Sequence, residues 1–263
     1  MKTFYCSSSI ANFKQGLQRK YPHAQWPRLG NYGTPAVFFG MYHIMDVLRL
    51  VWHKNSIVVW CGSDIVNMQK NSFLLGIVLG CNERHICENE IERKALEKLG
   101  IHAEIKPQLF DVVQATTAFP LNDGKVHAYL CAHEGRELEY GVWEIEDVAA
   151  QVPHVEFHIY GIQGKSKHQN VRYYGKVSQK QFLDDTKNYH VAIRLNAFDG
   201  FSEILARSAL FGQYQISRIL YPHMYFAPTK EIVKSCLQEL SNVREPNYVG
   251  QSYWSEELNK PLV

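Results

Sequence analysis

Several stretches of the chain join a strand-like run to residues that could hold an anion. In VEFHIYG, residues 155–161, a β-branched and aromatic run ends on Gly161, where a missing Cβ lets backbone approach a ligand. The following NVRYYGKVSQKQFLDD, residues 170–185, is a basic turn. In VAIRLNAFDGFSEILARSALFG, residues 191–212, a strand-like run ends near Arg194, and the loop Phe198–Ser202 brings free N–H groups to the start of a helix. A helix N-terminus carries partial positive charge and favours phosphate. Arg136, within HEGRELEYG, adds a guanidinium whose fork suits a diphosphate. Together these patterns describe a phosphate and ribose site. Plainer readings stand beside each. Asp199-Gly200 is also an ordinary turn dipeptide, Arg136 sits among Glu134, Glu137 and Glu139 as a solvated face would, and Asp64 after Ser63 could cap the helix that follows.

The charge distribution says more than its sum. Twenty-eight Lys and Arg against 26 Asp and Glu leave a formal +2, too little for a protein that coats nucleic acid. Residues 1–45 contain no carboxylate, and neither do residues 157–183, so local anion sites are expected. In FKQGLQRKYPHAQWPRLGNYG, Lys14, Arg19, Lys20 and Arg28 interleave with Tyr21, Trp26 and Tyr32. Cations for phosphates with aromatic faces for bases would hold a single-stranded or flipped nucleotide, and the competing reading is an ordinary surface loop. His43, His53 and His85 read as packing or surface residues, and Tyr42 and His43 follow a strand end where an acceptor could sit.

The elements that must position these residues alternate. Strands are expected at Thr3–Cys6, Ala36–Phe39, Ile57–Trp60, His85–Cys87 and Ala103–Ile105, with helices near Ile10–Arg19, Ile44–Trp52, Phe73–Leu79 and Glu90–Leu99. The rhythm lapses in DVVQATTAFPLNDG and restarts with strands at Val126–Cys131, Val155–Tyr160, Val171–Tyr173, His190–Leu195 and Tyr214–Ser217. Helices are expected between them at Val142–Gln151, Gln179–Asp185, Ser202–Leu210 and Thr229–Leu240. This predicts an α/β protein of two doubly wound Rossmann-like domains facing across a cleft: residues 1–115, a linker at 116–125, and residues 126–263, whose C-terminal helix is free to pack back on the first domain. Six dispersed cysteines with no CxxC pair or zinc spacing argue against a disulfide framework or a metal and for a cytoplasmic setting. No secretory leader and no membrane-spanning run is legible.

The order of these pieces resembles the family-4-like group of GT-B glycosyltransferases. The resemblance rests on the "YG" turn at Gly161, the V-x-Y-x-G-x-V strand at 171–177, and the R-L-x-x-x-DG-x-S loop at 194–202. In the first half, VFFGMYHIMDVLRL, IVVWCGSDI and HICENEIERKALEKLGIHAEIKPQLFD resemble the acceptor-domain strands. The resemblance implies transfer of a sugar from a nucleotide sugar, most simply a UDP-sugar, with no metal or other cofactor. It places Asp199, Gly200, Phe201, Ser202 and Glu203 beside the sugar and diphosphate, Gly161 on the nucleotide side, Arg136 and Arg194 on the phosphates, and Asp64 facing the transferred sugar. Lys14, Arg19, Lys20, Trp26, Tyr42 and His43 are then the acceptor-side candidates. Two departures stand out. The family's second acid, eight positions after the first, is Arg207 here, which has only donors to offer a ribose. Tyr140 stands where a lysine is expected before Gly141, leaving Lys165 or Lys167 as substitutes. The expected acceptor is a hydroxymethylated base in DNA; the alternatives are a cell-surface saccharide or lipid-linked acceptor, and a non-catalytic nucleotide or polyanion binding module of the same fold.

Overall fold

The computed structural model describes residues 2–117 and 123–262, which fold as two compact α/β units. The first unit runs to Val112 and includes Phe198–Phe201, while the second comprises Val113–Ala197 and the chain from Ser202 onward. Residues 118–122 of the expected linker lie outside the described residues. The four-residue excursion at 198–201, which the sequence places in the second domain, is the main difference from the expected division.

In the first unit, short apolar runs become parallel strands. These are β1 (Thr3–Cys6), β2 (Ala36–Phe39), β3 (Ile57–Val59), β4 (Arg84–Cys87) and β5 (Ala103–Ile105), hydrogen-bonded in that order. A sequential order alone would be singly wound. The reversal comes from Gln25, which bridges Thr3 in parallel on the free side of β1, with Phe4 N–H donating to Gln25 O and Gln25 N–H to Lys2 O. The chain therefore moves one way from β1 through α1 (Lys14–Lys20) and the other way from β2 onward. That makes the carboxyl ends of β1 and β2 the switch point, where open α/β sheets take ligands. The helix expected near 10–19 is split, because a 3-10 turn at Ser8–Phe13 breaks at Ile10 before α1 begins. Helix α2 (Ile44–Trp52) matches its expected bounds; α3 (Ser63–Gln69) is the short helix that the plainer reading of Asp64 calls for, though Gly62 stands at its N-cap, and α4 (Ser72–Leu79) and α5 (Glu90–Glu97) complete the unit. Tyr5, Phe38, Val58, Trp60 and Cys87 on one sheet face pack with Val47, Leu50, Ile65, Met68 and Leu96 of these helices.

The second unit has β6 (Val126–Cys131), β7 (Val155–Tyr160), β8 (Val171–Gly175), β9 (Val191–Arg194), β10 (Tyr214–Ser217) and β11 (Tyr225–Phe226). Their order, β11-β10-β9-β6-β7-β8, is parallel throughout and reverses between β6 and β9. Helices α6 (Val142–Ala149) and α9 (Lys230–Glu239) cover an apolar core that includes Leu130, Phe157, Ile159 and Ile193. The other face carries His127, His158, His190, Tyr129, Tyr160 and Tyr189, all buried; α7 (Gln179–Thr186) lies on it, with Phe182 edge-on to Tyr129 and Tyr160. Helix α8 (Glu203–Leu210) packs on β9 and on α10 (Tyr248–Asn259). The C-terminal helix thus belongs to the second unit, with Trp254 wholly buried, where the sequence allowed a return to the first.

Candidate functional site

The reversal of strand order in the second unit brings together the loops leaving β6 and β9. Arg136, on the first loop, donates through Nε to Glu139 Oε2 at 2.8 Å and through Nη2 to Glu139 Oε1. Its guanidinium lies 5.3 Å from the centroid of the Tyr140 ring, and that of Arg194, at the end of β9, lies 4.5 Å from the same centroid. Tyr140 is buried and so a fixed platform. Where the resemblance calls for one lysine, the tyrosine brings no charge but supports two guanidiniums, each attracted to the ring quadrupole. Glu139 also accepts from Asn196 Nδ2 at 3.3 Å, while the buried Asn196 Oδ1 has no partner among the described residues. Arg136 holds the Glu139 carboxyl below its ordinary range.

Ser202 caps α8, its Oγ accepting from Ile204 N–H at 3.3 Å. Glu203 opens the helix and pairs with Arg207 one turn later, Nε to Oε2 at 3.6 Å, with Arg207 8% exposed. The arginine in the acid position is thus matched by an acid in the preceding turn. Gly161 has φ +90, and a Cβ there would collide with the carbonyl of Ala132, so the glycine is required by the close approach of two strand ends. Lys165 lines a cavity of about 450 Å³ with Trp143, Glu146, Lys167 and Tyr173.

In the first unit, the switch point holds Ser7, Tyr42 and His43. Asp46 Oδ2 accepts from Ser7 Oγ at 2.7 Å and from the N–H groups of Tyr42 and His43 at 3.2 and 3.1 Å. Tyr42 donates to Cys61 O at 3.3 Å and lies 3.2 Å from Ser63 Oγ, while His43 Nε2 meets Ser9 Oγ at 2.8 Å. Asp64 is fully buried, and its carboxylate accepts from Met41, Cys61 and Ile65 N–H, each at 3.0 Å. Burial, opposed by these amides, leaves its pKa at about 6. The sequence suggests an Asp64 that faces sugar; in this geometry its carboxylate instead ties the loops after β2 and β3 together.

The loop at Asp199–Phe201 is gripped by residues the sequence did not single out. Asn89 Nδ2 donates to Asp199 O at 2.8 Å, and Phe201 N–H donates to Glu88 Oε2 at 2.9 Å. Glu88 N–H in turn donates to Glu92 Oε2 at 2.7 Å, leaving the buried Glu92 Oε1 without a partner among the described residues. Burial, reinforced by mutual repulsion and by Asp199 and Asp64, raises both glutamates well above the carboxylate range. Only the helix-start pattern Asn89-x-x-Glu92 was visible in the sequence, since the loop partner lies more than a hundred residues away.

The basic N-terminal segment is partly consumed within its own unit. Arg19 makes a two-pronged contact with Asp111 at 2.9 and 2.8 Å, and Lys20 Nζ donates to Leu109 O at 2.8 Å. Burial pulls the Lys20 ammonium down to about 8. Trp26 sits edge-on to Phe4 at 5.4 Å between centroids. Lys14 is exposed. Of the expected acceptor set, Lys14, Arg19 and His43 are exposed, Arg19 keeping 57% of its side-chain surface accessible beside Asp111.

The architecture is shared with solved GT-B glycosyltransferases. Anabaena Alr3699/HepE, solved with UDP-glucose, superposes with a TM-score of 0.67 at 7% identity over 98% of this chain and 95% of that one. The lipopolysaccharide outer core galactosyltransferase WaaB, in apo form, gives 0.61 at 13% identity over 99% and 96%. The pneumococcal O-GlcNAc transferase GtfA, solved with UDP and GlcNAc, gives 0.60 at 12% identity over 88% of this chain and 55% of that one. The chain spans about half the length of GtfA and of TarM, which it also matches. No protein-family model and no curated protein matches the chain. At these identities the likeness establishes the GT-B fold.

Proposed function

We propose that the chain is a glycosyltransferase that takes its sugar from a UDP-sugar. The observation that carries this reading is the seating of Arg136 and Arg194 on one tyrosine ring at the strand-order reversal of the second unit. The fold is that of HepE, which was solved with UDP-glucose. The two arginines and the N-terminus of α8 at Ser202 receive the diphosphate, with Gly161 on the nucleotide side, and Asp199, Gly200 and Phe201 beside the sugar. Glu203 and Arg207 meet the ribose as a pair, the carboxylate accepting its hydroxyls. Lys165 is assigned to the donor only by its place on the loop after β7.

In the reaction, the acceptor hydroxyl oxygen bonds to the anomeric carbon as the bond from that carbon to the diphosphate oxygen breaks. The electron pair leaves with UDP, and the hydroxyl proton passes to a phosphate oxygen of the departing group. Positive groups fixed where this charge develops lower the barrier without reorganising. Inversion would need a separate base, and the first unit's two strand-end aspartates, Asp64 and Asp46, are buried, with both Asp64 oxygens and Asp46 Oδ2 accepting from backbone amides and Asp46 Oδ1 facing Arg49 at 3.7 Å. That supports retention. A hydroxymethylated DNA base as acceptor loses support from the internal engagement of Lys20 and Trp26 and the pairing of Arg19 with Asp111, and the proposal is for an acceptor hydroxyl outside nucleic acid.

Calorimetric titration with UDP-, GDP- and ADP-sugars, followed by assay of free nucleotide release, tests the reading. Tight binding of a UDP-sugar with release of UDP is expected; absence of binding by all three families overturns it. The buried Arg207 in an acid position favours a second reading, a binding module without turnover. Binding with no release, unchanged in Arg207→Glu, would select that reading.

A further inference from the structure

Helix α2 is apolar on both sides. Val47 and Leu50 are buried in the core, while Ile44, Met45, Leu48, Val51 and Trp52 are 40–53% exposed. At 3.6 residues per turn those five form one stripe facing away from the core. Helix α4 packs against α2 and has the sequence SFLLGIVL, with only Val78 fully buried. It adds exposed Phe73 and Leu79, at 68% and 48%. The loop before β2 contributes Leu29 and Tyr32, 55% and 65% exposed, with the Tyr32 ring 5.1 Å from that of Trp52 and Trp52 Nε1 donating to Gly30 O at 3.0 Å. Single exposed apolar residues are ordinary, but nine large ones on two packed helices and their adjoining loop mark an interaction surface.

The charge around this face identifies what it meets. Residues 1–82 contain two carboxylates, Asp46 and Asp64, and both are buried. The same span holds eight Lys and Arg, of which Arg28 adjoins Leu29, Arg49 lies on α2, Lys54 follows α2 and Lys70 precedes α4. Residues 1–82 therefore contribute cations and apolar side chains to the surface and no carboxylate, and the neighbouring half-buried Glu83 turns its carboxylate to the N–H of Ser56. Two copies brought together through this face would set cation against cation. Tryptophan and tyrosine at the rim, aliphatic residues at the centre and Lys or Arg around them suit the headgroup boundary of a bilayer.

We propose that the outer face of α2 and α4 docks the first unit on an anionic membrane surface, with Leu48, Val51, Trp52 and Phe73 entering the acyl boundary and Arg28, Lys54 and Lys70 meeting lipid phosphates. No helix among the described residues is long and apolar enough to cross a membrane, so the attachment is interfacial. The proposal does not rest on the donor reading. Nucleotide binding by the second unit succeeds or fails independently.

The test is co-sedimentation of the full chain with vesicles of phosphatidylcholine alone and of phosphatidylcholine mixed with phosphatidylglycerol. Binding to the anionic vesicles is expected, with a blue shift of tryptophan emission that is diminished in Trp52→Phe. Leu48→Ser and Phe73→Ser change exposed side chains, and each should weaken partitioning about tenfold. Lys54→Glu with Lys70→Glu should cut binding to the anionic vesicles and leave the phosphatidylcholine baseline unchanged. An unaltered urea unfolding midpoint in each variant shows that the first unit, which carries the substitutions, remains folded. No association with either vesicle, or association that survives Leu48→Ser and Phe73→Ser, overturns the proposal. So does a lipid-free dimer abolished by the same substitutions, which would assign the face to a second copy.

Discussion

Arg136 and Arg194 share a ring but are held differently. Arg136 is fixed by an exposed pair with Glu139, the kind of contact worth little to stability, while Arg194 is fixed by the end of β9. Replacing either by alanine should therefore leave the melting temperature close to wild type and weaken UDP binding. A charge-assisted hydrogen bond is worth roughly 1.5–3 kcal/mol, so each substitution should raise the dissociation constant by about tenfold or more. Calorimetric titration reads this directly, and an unchanged affinity in both variants would remove the arginines from the diphosphate. Gly200 makes the opposite kind of prediction, on stability. A Cβ there would collide with Glu88 Oε2, and moving that carboxyl breaks its contact with Phe201 N–H and strands a buried acceptor. Gly200→Ala should cost about 1–3 kcal/mol in urea unfolding, whereas Gly76→Ala, with nothing near its Cβ, should cost nothing measurable.

Helix α8 depends on its first residue. Ser202 accepts from Ile204 N–H and leaves the remaining amides of the first turn oriented outward. Ser202→Ala should lower stability by about 1 kcal/mol and also weaken the nucleotide, while Ser202→Asp should retain the fold and repel the diphosphate. Equal affinity in both variants would place the phosphates elsewhere. Elements like this one were legible because parallel strands buried on both faces read as short apolar runs ended by Gly or a charged residue. Strands β1, β2, β5, β6, β7 and β10 fall on their expected bounds for that reason, and Arg136, Gly161, Arg194 and Ser202 stand out as candidates because they punctuate such runs. The rest depended on neighbours distant in sequence. Nothing local in Gln25 announces a strand bridge, yet it makes the first sheet doubly wound; two-residue β11 is too short for any period. Tyr140 read as a lost lysine until β6 and β9 proved adjacent, and Glu88 and Asn89 read as the approach to a helix until the chain returned to them at Asp199.

The two units should answer pH in opposite directions. In the second unit, Tyr174 O–H donates to His158 Nδ1 at 2.9 Å, His158 Nε2–H to His127 Nδ1 at 2.9 Å, and His127 Nε2–H to Asp123 Oδ2 at 3.0 Å. His190 accepts His127 N–H nearby. Burial pushes His158 down to about 3 and His190 down to about 4 from the ordinary 6.5. The unfolded chain therefore binds protons that the folded unit refuses. Stability is complete above pH 6.5 and falls as pH drops toward 4, by up to about 1.4 kcal/mol per pH unit for each histidine. In the first unit, Asp64 is raised from 3.8 to about 6, and Glu88 and Glu92 are raised well above 4.5. These three acids are held protonated more tightly in the folded state, so their contribution is complete at acid pH and is lost as pH rises through the raised values, while His85, pushed down to about 4 by burial beside Trp60, opposes them singly below pH 6.5. Trp60 is fully buried in the first unit and Trp254 in the second, so chains retaining one or the other as sole tryptophan report each unit separately. Between pH 7 and pH 5, the urea midpoint seen by Trp254 should fall while that seen by Trp60 holds or rises. His158→Phe should flatten the first slope, and Glu92→Gln the second. Midpoints that fall together and are indifferent to both substitutions would mean that neither buried cluster governs how its unit responds to acid.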